Sequence, residues 1–285
     1  MKRVALFADL IKYKLSLAVS LSAITGYFIS GSGIMASFFL LIPGIFLITA
    51  GAAAFNQFTE KESDASMERT RLRPIPAGVI TPLEAVITSI ILLVSGEIIL
   101  LLTGIIPAIF GALAVLLYNL VYTRLKRVSL ISVIPGALVG AIPPLIGFSS
   151  AGGVLPHNEI MMFSVFMFLW QLPHFWLILI RYGDDYRKAG FKTFSPGFLE
   201  FRIRLLVFGW VIITTFLLIA FSVRGLVFKG IINYILILLN LSFILLFYST
   251  LFSRNEIRSV RIAFILINSF SLAVMILFIV NSFIA

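Results

Sequence analysis

Long apolar runs alternate with short, charge-rich connections along the whole chain. A helix needs about 20 apolar residues to cross a hydrocarbon core of roughly 30 Å. Nine runs approach that length. They cover about 10–31, 35–55, 84–104, 106–122, 130–149, 160–180, 204–222, 230–252 and 261–283. The pattern predicts an all-α, polytopic bundle of about nine transmembrane helices, forming one domain over residues 1–285. Only Gly104 to Pro107 separates the third run from the fourth. The fifth contains Gly136, Gly140, Pro143 and Pro144, which predicts a kink. Met1-Lys2-Arg3 resembles the basic start of a signal peptide. No small-residue cleavage site precedes the later runs, so a retained first helix is expected.

Composition agrees with lipid as the main solvent. Of the 285 residues, 60% are hydrophobic and 12% charged, too few charges to cover a soluble surface. Cysteine is absent. That excludes disulfides, thiolate metal sites, thioether haem attachment and a cysteine nucleophile. Two histidines leave little room for a multi-histidine metal centre.

The basic residues set an orientation. Lys2, Arg3, Lys12 and Lys14 lie at the start and in the first run. Lys61, Arg69, Arg71 and Arg73 follow the second, and Arg124, Lys126 and Arg127 the fourth. Arg181, Arg187, Lys188, Lys192, Arg202 and Arg204 follow the sixth, and Arg254, Arg258 and Arg261 the eighth. Those are 20 of the 22 Lys and Arg residues; the other two are Arg224 and Lys229. The positive-inside rule therefore places the N-terminus and every even-numbered exit in the cytoplasm, and the C-terminus outside. Missing one span would collapse that split. The net charge of +10 is this asymmetry, and needs no nucleic-acid partner.

Three charged clusters lie on the predicted cytoplasmic side. After the second run, Asn56, Glu60 and Asp64 stand at i, i+4 and i+8. Steps of four share a helix face, and Glu62 falls on the opposite one. Oxygen ligands in that arrangement suit Mg2+, which prefers carboxylates plus phosphate oxygens. Arg69 and Arg73 are also four apart, and guanidinium groups pair well with phosphate. The competing reading is a solvated loop of mixed charge. Lys126 and Arg127 follow the fourth run, where topology alone calls for basic residues. Asp184 and Asp185 follow the sixth. Adjacent carboxylates need a cation, supplied either by a metal or by Arg181, Arg187 and Lys188. Acidic sites facing one another, with basic residues between, would hold an Mg2+-diphosphate and make diphosphate a good leaving group.

Two ionisable residues lie inside the runs. His174 sits in Trp170-Gln171-Leu172-Pro173-His174-Phe175. Intramembrane ionisable groups are costly and usually face a cavity. His174 is read either as bonded to a carbonyl freed by Pro173 or as a contact for substrate or haem. Glu97, in the third run, is either hydrogen-bonded within the bundle or near a polar substrate.

These strings resemble the UbiA superfamily of membrane prenyltransferases over nearly the whole chain. The first is Asn56 to Pro74, especially Asp64 to Thr70 and Arg73-Pro74. Tyr122-Thr123 with Leu125-Lys126-Arg127 follows, then Pro135-Gly136-Ala137 and Gly140 to Gly147. The last is Trp170 to Phe175 with Asp185-Tyr186 and Gly190. The Gly140 to Gly147 and Trp170 to Phe175 strings resemble the branch that farnesylates haem. The resemblance implies a nine-helix bundle with a polar chamber at its cytoplasmic face. It implies farnesyl diphosphate and haem B as substrates, and haem O and diphosphate as products. Mg2+ is the implied cofactor. Asn56, Glu60 and Asp64 are the implied catalytic and metal-binding residues, with Asp184 and Asp185 a second metal cluster. Arg69, Arg73, Lys126 and Arg127 take the diphosphate. Tyr122 and His174 contact substrate. The product would serve haem-copper oxidases in a bacterial inner membrane, through a haem A synthase or oxidase assembly as partner. Two departures stand out. Glu60 and Glu62 occupy positions usually held by aspartate, and Lys188 stands where a second aspartate, four residues on, is usual.

A quinone or chlorin prenyltransferase of the same superfamily is the near alternative, and a transporter the distant one. Matching halves and broken helices, the signs of a transporter, are not evident. The orientation is directly testable. A reporter fused after Ala285 is expected to read as external; a cytoplasmic signal there would sink the nine-span topology.

Overall fold

The computed structural model describes residues 2–193, 200–224, 228, 230–253 and 256–284. Lys229, Arg254 and Ala285, used above for topology, lie outside the described residues. Among the described residues twelve α-helices follow one another: α1 Lys2–Leu10, α2 Tyr13–Ile29, α3 Ala36–Thr59, α4 Lys61–Ser66, α5 Pro82–Thr103, α6 Ile105–Leu116, α7 Thr123–Val128, α8 Val133–Ser150, α9 Asn158–Lys188, α10 Glu200–Val223, α11 Gly230–Leu251 and α12 Glu256–Ile284. A π-helical turn, Leu117–Tyr122, joins α6 to α7. Eight segments are long and apolar enough to cross a membrane among the described residues, and α2 adds a shorter apolar helix of 17 residues. Each coincides with one of the nine predicted runs.

The local signals are those of ordinary helix chemistry. Thr81-Pro82-Leu83-Glu84 opens α5 with a capping box. Thr81 Oγ1 accepts from the Glu84 N–H at 3.2 Å, and Glu84 Oε2 accepts from the Thr81 N–H at 2.7 Å. Gly104 separates α5 from α6 by adopting φ 149°, ψ 162°, a conformation open essentially to glycine. The helix α8 runs uninterrupted from 133 to 150 with Pro143 and Pro144 inside it. The long helix α9 breaks its helical dihedrals at Tyr182 (φ −122°, ψ 19°).

The chain forms two compact units. One comprises residues 1–155 and 184–192; the other comprises 156–183 and 193–285. In the first, helices touch through their backbones. A Cβ on Gly26 of α2 would lie 2.0 Å from the Pro144 carbonyl oxygen of α8. One on Gly147 of α8 would lie 1.8 Å from the Ala23 carbonyl oxygen of α2. Lipid tails give no hydrophobic drive to helix association, so this close packing of small residues is what holds the pair. Gly96 of α5 meets the Ile48 N–H of α3 in the same way. The contacts fix α3, whose C-terminal end carries the first acidic cluster. In the second unit, aromatic rings fill the interior. Phe243 of α11 stacks on Phe270 of α12 at 4.0 Å, and the Trp170 indole of α9 donates to the Ile267 carbonyl at 2.8 Å.

The glycine contacts predict an asymmetry. Gly147→Ala is expected to lower stability by about 1–3 kcal/mol, as overpacking does. Gly209→Ala, on a face of α10 where an added Cβ meets nothing within 4 Å, should be neutral or mildly stabilising. Thermal unfolding of the detergent-solubilised variants measures both.

Candidate active site

The polar cluster of the first unit begins at a break. The helix α3 ends at Thr59, and Glu60 takes φ −103°, ψ 7° before α4 starts. The ladder still runs through the three predicted ligands. The Glu60 N–H donates to the Asn56 carbonyl at 3.0 Å, and the Asp64 N–H to the Glu60 carbonyl at 2.7 Å. Asn56, Glu60 and Asp64 are 1%, 3% and 1% exposed, whereas Glu62 is exposed. The three predicted residues are thus all buried, and Glu62 is not.

Each buried side chain has a cationic neighbour. Arg73 Nη1 donates to both Asp64 oxygens, at 2.8 and 2.7 Å. Lys126 Nζ lies 2.5 Å from Glu60 Oε1 and donates to Oε2 at 2.7 Å. Lys12 Nζ donates to Asn56 Oδ1 at 3.1 Å, and Asn56 Nδ2 donates to Thr123 Oγ1 at 3.1 Å. Buried carboxylates without such partners would be strongly disfavoured.

Local backbone geometry delivers these groups. Lys12 has φ 45°, and no other described non-glycine residue has a positive φ. Left-handed backbone at such a residue costs of order 1–3 kcal/mol and commonly marks a functional constraint. The π turn before α7 lets Thr123 Oγ1 donate to the Tyr118 carbonyl five residues back, at 2.8 Å. Such turns frequently occur at functional sites. The Tyr118 and Tyr122 rings stack at 5.7 Å, and Lys126 Nζ lies 5.4 Å from the Tyr122 ring. Gln57, also buried, donates to the Asp9 and Leu10 carbonyls at 2.7 and 3.0 Å, tying α3 to the end of α1.

The remaining predicted residues have partners of their own. Asp185 Oδ2 accepts from the Arg69 backbone N–H at 3.3 Å, and the Arg69 guanidinium reaches the Tyr186 hydroxyl at 3.5 Å. The third cluster thus meets the loop that carries Arg69 and Arg73. Asp184 turns outward, its side chain 80% exposed and paired with Arg187. Arg127 donates to the Thr59 carbonyl at 2.9 Å, capping the end of α3. His174 lies in the second unit, on α9, with its ring 5.2 Å from Trp170 and 4.7 Å from Phe264. Its Nδ1 is buried and finds no hydrogen-bond partner among the described residues. Glu97 of α5 lies beside Gly111 of α6.

In the sequence Lys12 reads only as a topological charge, and Thr123 and Tyr186 stand in the quoted strings with no role assigned, as Gln57 stands without one. A lysine interrupting the start of an apolar run was the available signal for Lys12. The π turn that aims Thr123 leaves no trace in spacing.

The donor set fits Mg2+ in a particular way. Among the described residues no three Asp, Glu or His side chains gather closely enough to hold a metal alone. Two buried carboxylates and an amide oxygen are hard donors, and Mg2+ usually takes one or two carboxylates plus substrate phosphates.

Among the described residues the chain is all-helical and apolar, with buried acid–base pairs where α3 meets α4. The chain belongs to the UbiA prenyltransferase family, which its residues 19–275 match. With its apolar helices it is a multi-pass membrane protein. Its relatives include the protoheme IX farnesyltransferase of Geobacter sulfurreducens, 37% identical over 66% of this chain and 70% of that protein. The protoheme IX farnesyltransferase of Cytophaga hutchinsonii is 38% identical over 65% of this chain and 66% of that protein. Among solved structures, a digeranylgeranylglyceryl phosphate synthase matches 99% of both chains with a TM-score of 0.77 at 18% identity. A UbiA homologue from Archaeoglobus fulgidus bound to GPP and Mg2+ covers 95% of this chain and 99% of its own, with a TM-score of 0.68 at 17% identity.

Proposed function

We propose that this protein transfers the farnesyl group of farnesyl diphosphate to a vinyl group of haem B, yielding haem O and diphosphate. The observation that carries the reading is the buried Asn56–Glu60–Asp64 face with Lys126 and Arg73 paired to its carboxylates, in a chain whose relatives are protoheme IX farnesyltransferases. Quinone or chlorin prenylation and transport are not favoured by those relatives. The family match runs across both compact units, which supports one prenyltransferase domain over 1–285.

Asn56, Glu60 and Asp64 are read as the Mg2+ ligands, with Asp185 the nearer member of the second acidic pair and Asp184 more remote. Bound Mg2+ would neutralise charge on the departing diphosphate. Arg73 and Lys126 hold the phosphate oxygens, with Arg69 beside them, Arg127 at the cluster's edge and Tyr122 against the substrate. Clamping charge that develops on a leaving group lowers the barrier to its departure. The allylic C–O bond breaks with its electrons going to diphosphate. The vinyl carbon attacks the farnesyl cation, water captures the cation left on the porphyrin side chain, and a proton is released. His174, against Trp170 and Phe264, is read as a haem-contact residue. The basic residues support a cytoplasmic N-terminus in a bacterial inner membrane. The product serves haem-copper oxidases, directly or after conversion to haem A.

The reading predicts a graded series, measured as farnesyl transfer to haem B in detergent with Mg2+ titrated. Glu60→Asp should remain active. Glu60→Gln and Asp64→Asn should each lower turnover roughly a hundredfold or more, the scale of losing a transition-state charge stabiliser. Glu62→Gln, exposed, should cost far less. Equal damage at Glu62 and Asp64 would defeat the assignment, and full activity in EDTA would remove the metal.

His174→Ala should reduce haem O formation and haem affinity while protein abundance stays near normal. Unchanged turnover and haem binding would leave His174 with a packing role.

A further inference from the structure

We propose that Lys126 and Arg73 are exchangeable counterions, which hold the Mg2+ ligands closed until diphosphate draws them away. The inference rests on the metal–diphosphate reading above and goes beyond it. It assigns these two residues a second partner, and it makes metal and diphosphate binding mutually dependent.

The argument begins with layering. Asp64 is 1% exposed on its side chain and Arg73 22%; Glu60 is 4% exposed and Lys126 15%. In each pair the cation is therefore the member nearer solvent. One guanidinium nitrogen engages both Asp64 oxygens, and the Lys126 ammonium lies within 2.7 Å of both Glu60 oxygens. A metal ion arriving alone would have to displace two cations from the oxygens it needs. Those cations would then remain beside it, and like charges at close range repel strongly where water is scarce. Diphosphate arriving alone meets the reverse difficulty. Its cations are already committed, and the carboxylates behind them repel it.

Both difficulties vanish when the two arrive together. The carboxylates turn to the metal, and Lys126 and Arg73 turn to phosphate oxygens, for which Arg offers a matched fork and Lys a mobile point charge. No buried charge is left without a partner at the end of the exchange. The side chains have the freedom it needs, since Lys126 and Arg73 carry long flexible stems while Glu60 and Asp64 stay anchored in the α3–α4 backbone. Lys126 already rests between the rings of Tyr122 at 5.4 Å and Phe191 at 5.5 Å, which can keep its charge satisfied as it moves. The resting pairs also keep the buried carboxylates compensated when no substrate is present.

Linkage makes this measurable without turnover. If each ligand favours the other, each must raise the other's affinity by the same factor. The experiment titrates Mn2+, as a spectroscopic stand-in for Mg2+, into the purified full-length protein in detergent, followed by electron paramagnetic resonance. Titrations are run with and without saturating inorganic diphosphate, and corrected for Mn2+-diphosphate formed in solution. Diphosphate is expected to tighten Mn2+ binding by about tenfold or more, within the usual range of coupling between sites. Lys126→Gln supplies the decisive sign. Removing the counterion should strengthen binding of Mn2+ alone and shrink the coupling to diphosphate. Lys126→Arg should retain the coupling. A simple phosphate ligand would leave Mn2+ affinity unchanged on its removal. Equal Mn2+ affinity with and without diphosphate in the unaltered protein overturns the exchange while leaving the metal site standing. Weaker or unchanged Mn2+ binding in Lys126→Gln, with the protein still monodisperse, overturns it as well. Absence of any Mn2+ binding under either condition overturns the metal–diphosphate reading itself.

Discussion

Two carboxylates are buried at the end of a membrane helix, and the surrounding structure is organised by what that requires. A buried ionised group without compensation costs several kcal/mol, and breaking a buried pair typically costs about 3–5 kcal/mol. Glu60 and Asp64 escape that cost because Lys126 arrives from α7 and Arg73 from the loop after α4. Much of the first unit can be seen as the means of bringing those four residues to one place. A buried ion pair is weak evidence of stability gained, because apolar residues of similar volume often do as well. Its presence here therefore points to chemistry.

The supporting devices act at successive scales. Backbone contact at Gly26 and Gly147 sets α2 against α8, and Gly96 sets α5 against α3. Gln57 fastens α3 to the end of α1, and the left-handed turn at Lys12 then lets its ammonium reach Asn56. The π turn aims Thr123 at the same amide. Arg127 donates to the Thr59 carbonyl, so the segment carrying Asn56, Glu60 and Asp64 is held at its break as well as along its length.

The spans and the shared face were legible in the sequence because both rest on periodicity. Apolar run length gives a membrane helix directly, and steps of four pick out Asn56, Glu60 and Asp64, all three of which are buried. What periodicity does not carry is partnership. By position alone Lys126, Arg127 and Lys12 are all basic residues at cytoplasmic ends of spans, yet one meets Glu60, one a helix end and one Asn56. Asp184 and Asp185 were equivalent in sequence. The backbone after Tyr182 turns one toward Arg69 and leaves the other in solvent. Neighbouring helix positions point about 100° apart, so which of two adjacent charges meets a partner depends on what packs beside that helix.

The glutamate at position 60 follows from the same geometry. Glu60 sits at the junction of α3 and α4, where its own dihedrals leave the helical region. The Lys126 ammonium meets both Glu60 oxygens there. Asp64 lies inside α4, and its shorter side chain suffices because Arg73 supplies the reach. Side-chain length and backbone conformation thus vary together at the two positions: the longer acid stands where the backbone bends, and the shorter where a long cation comes to meet it. Glu62 faces solvent and is bound by no such relation, so its length is free to vary.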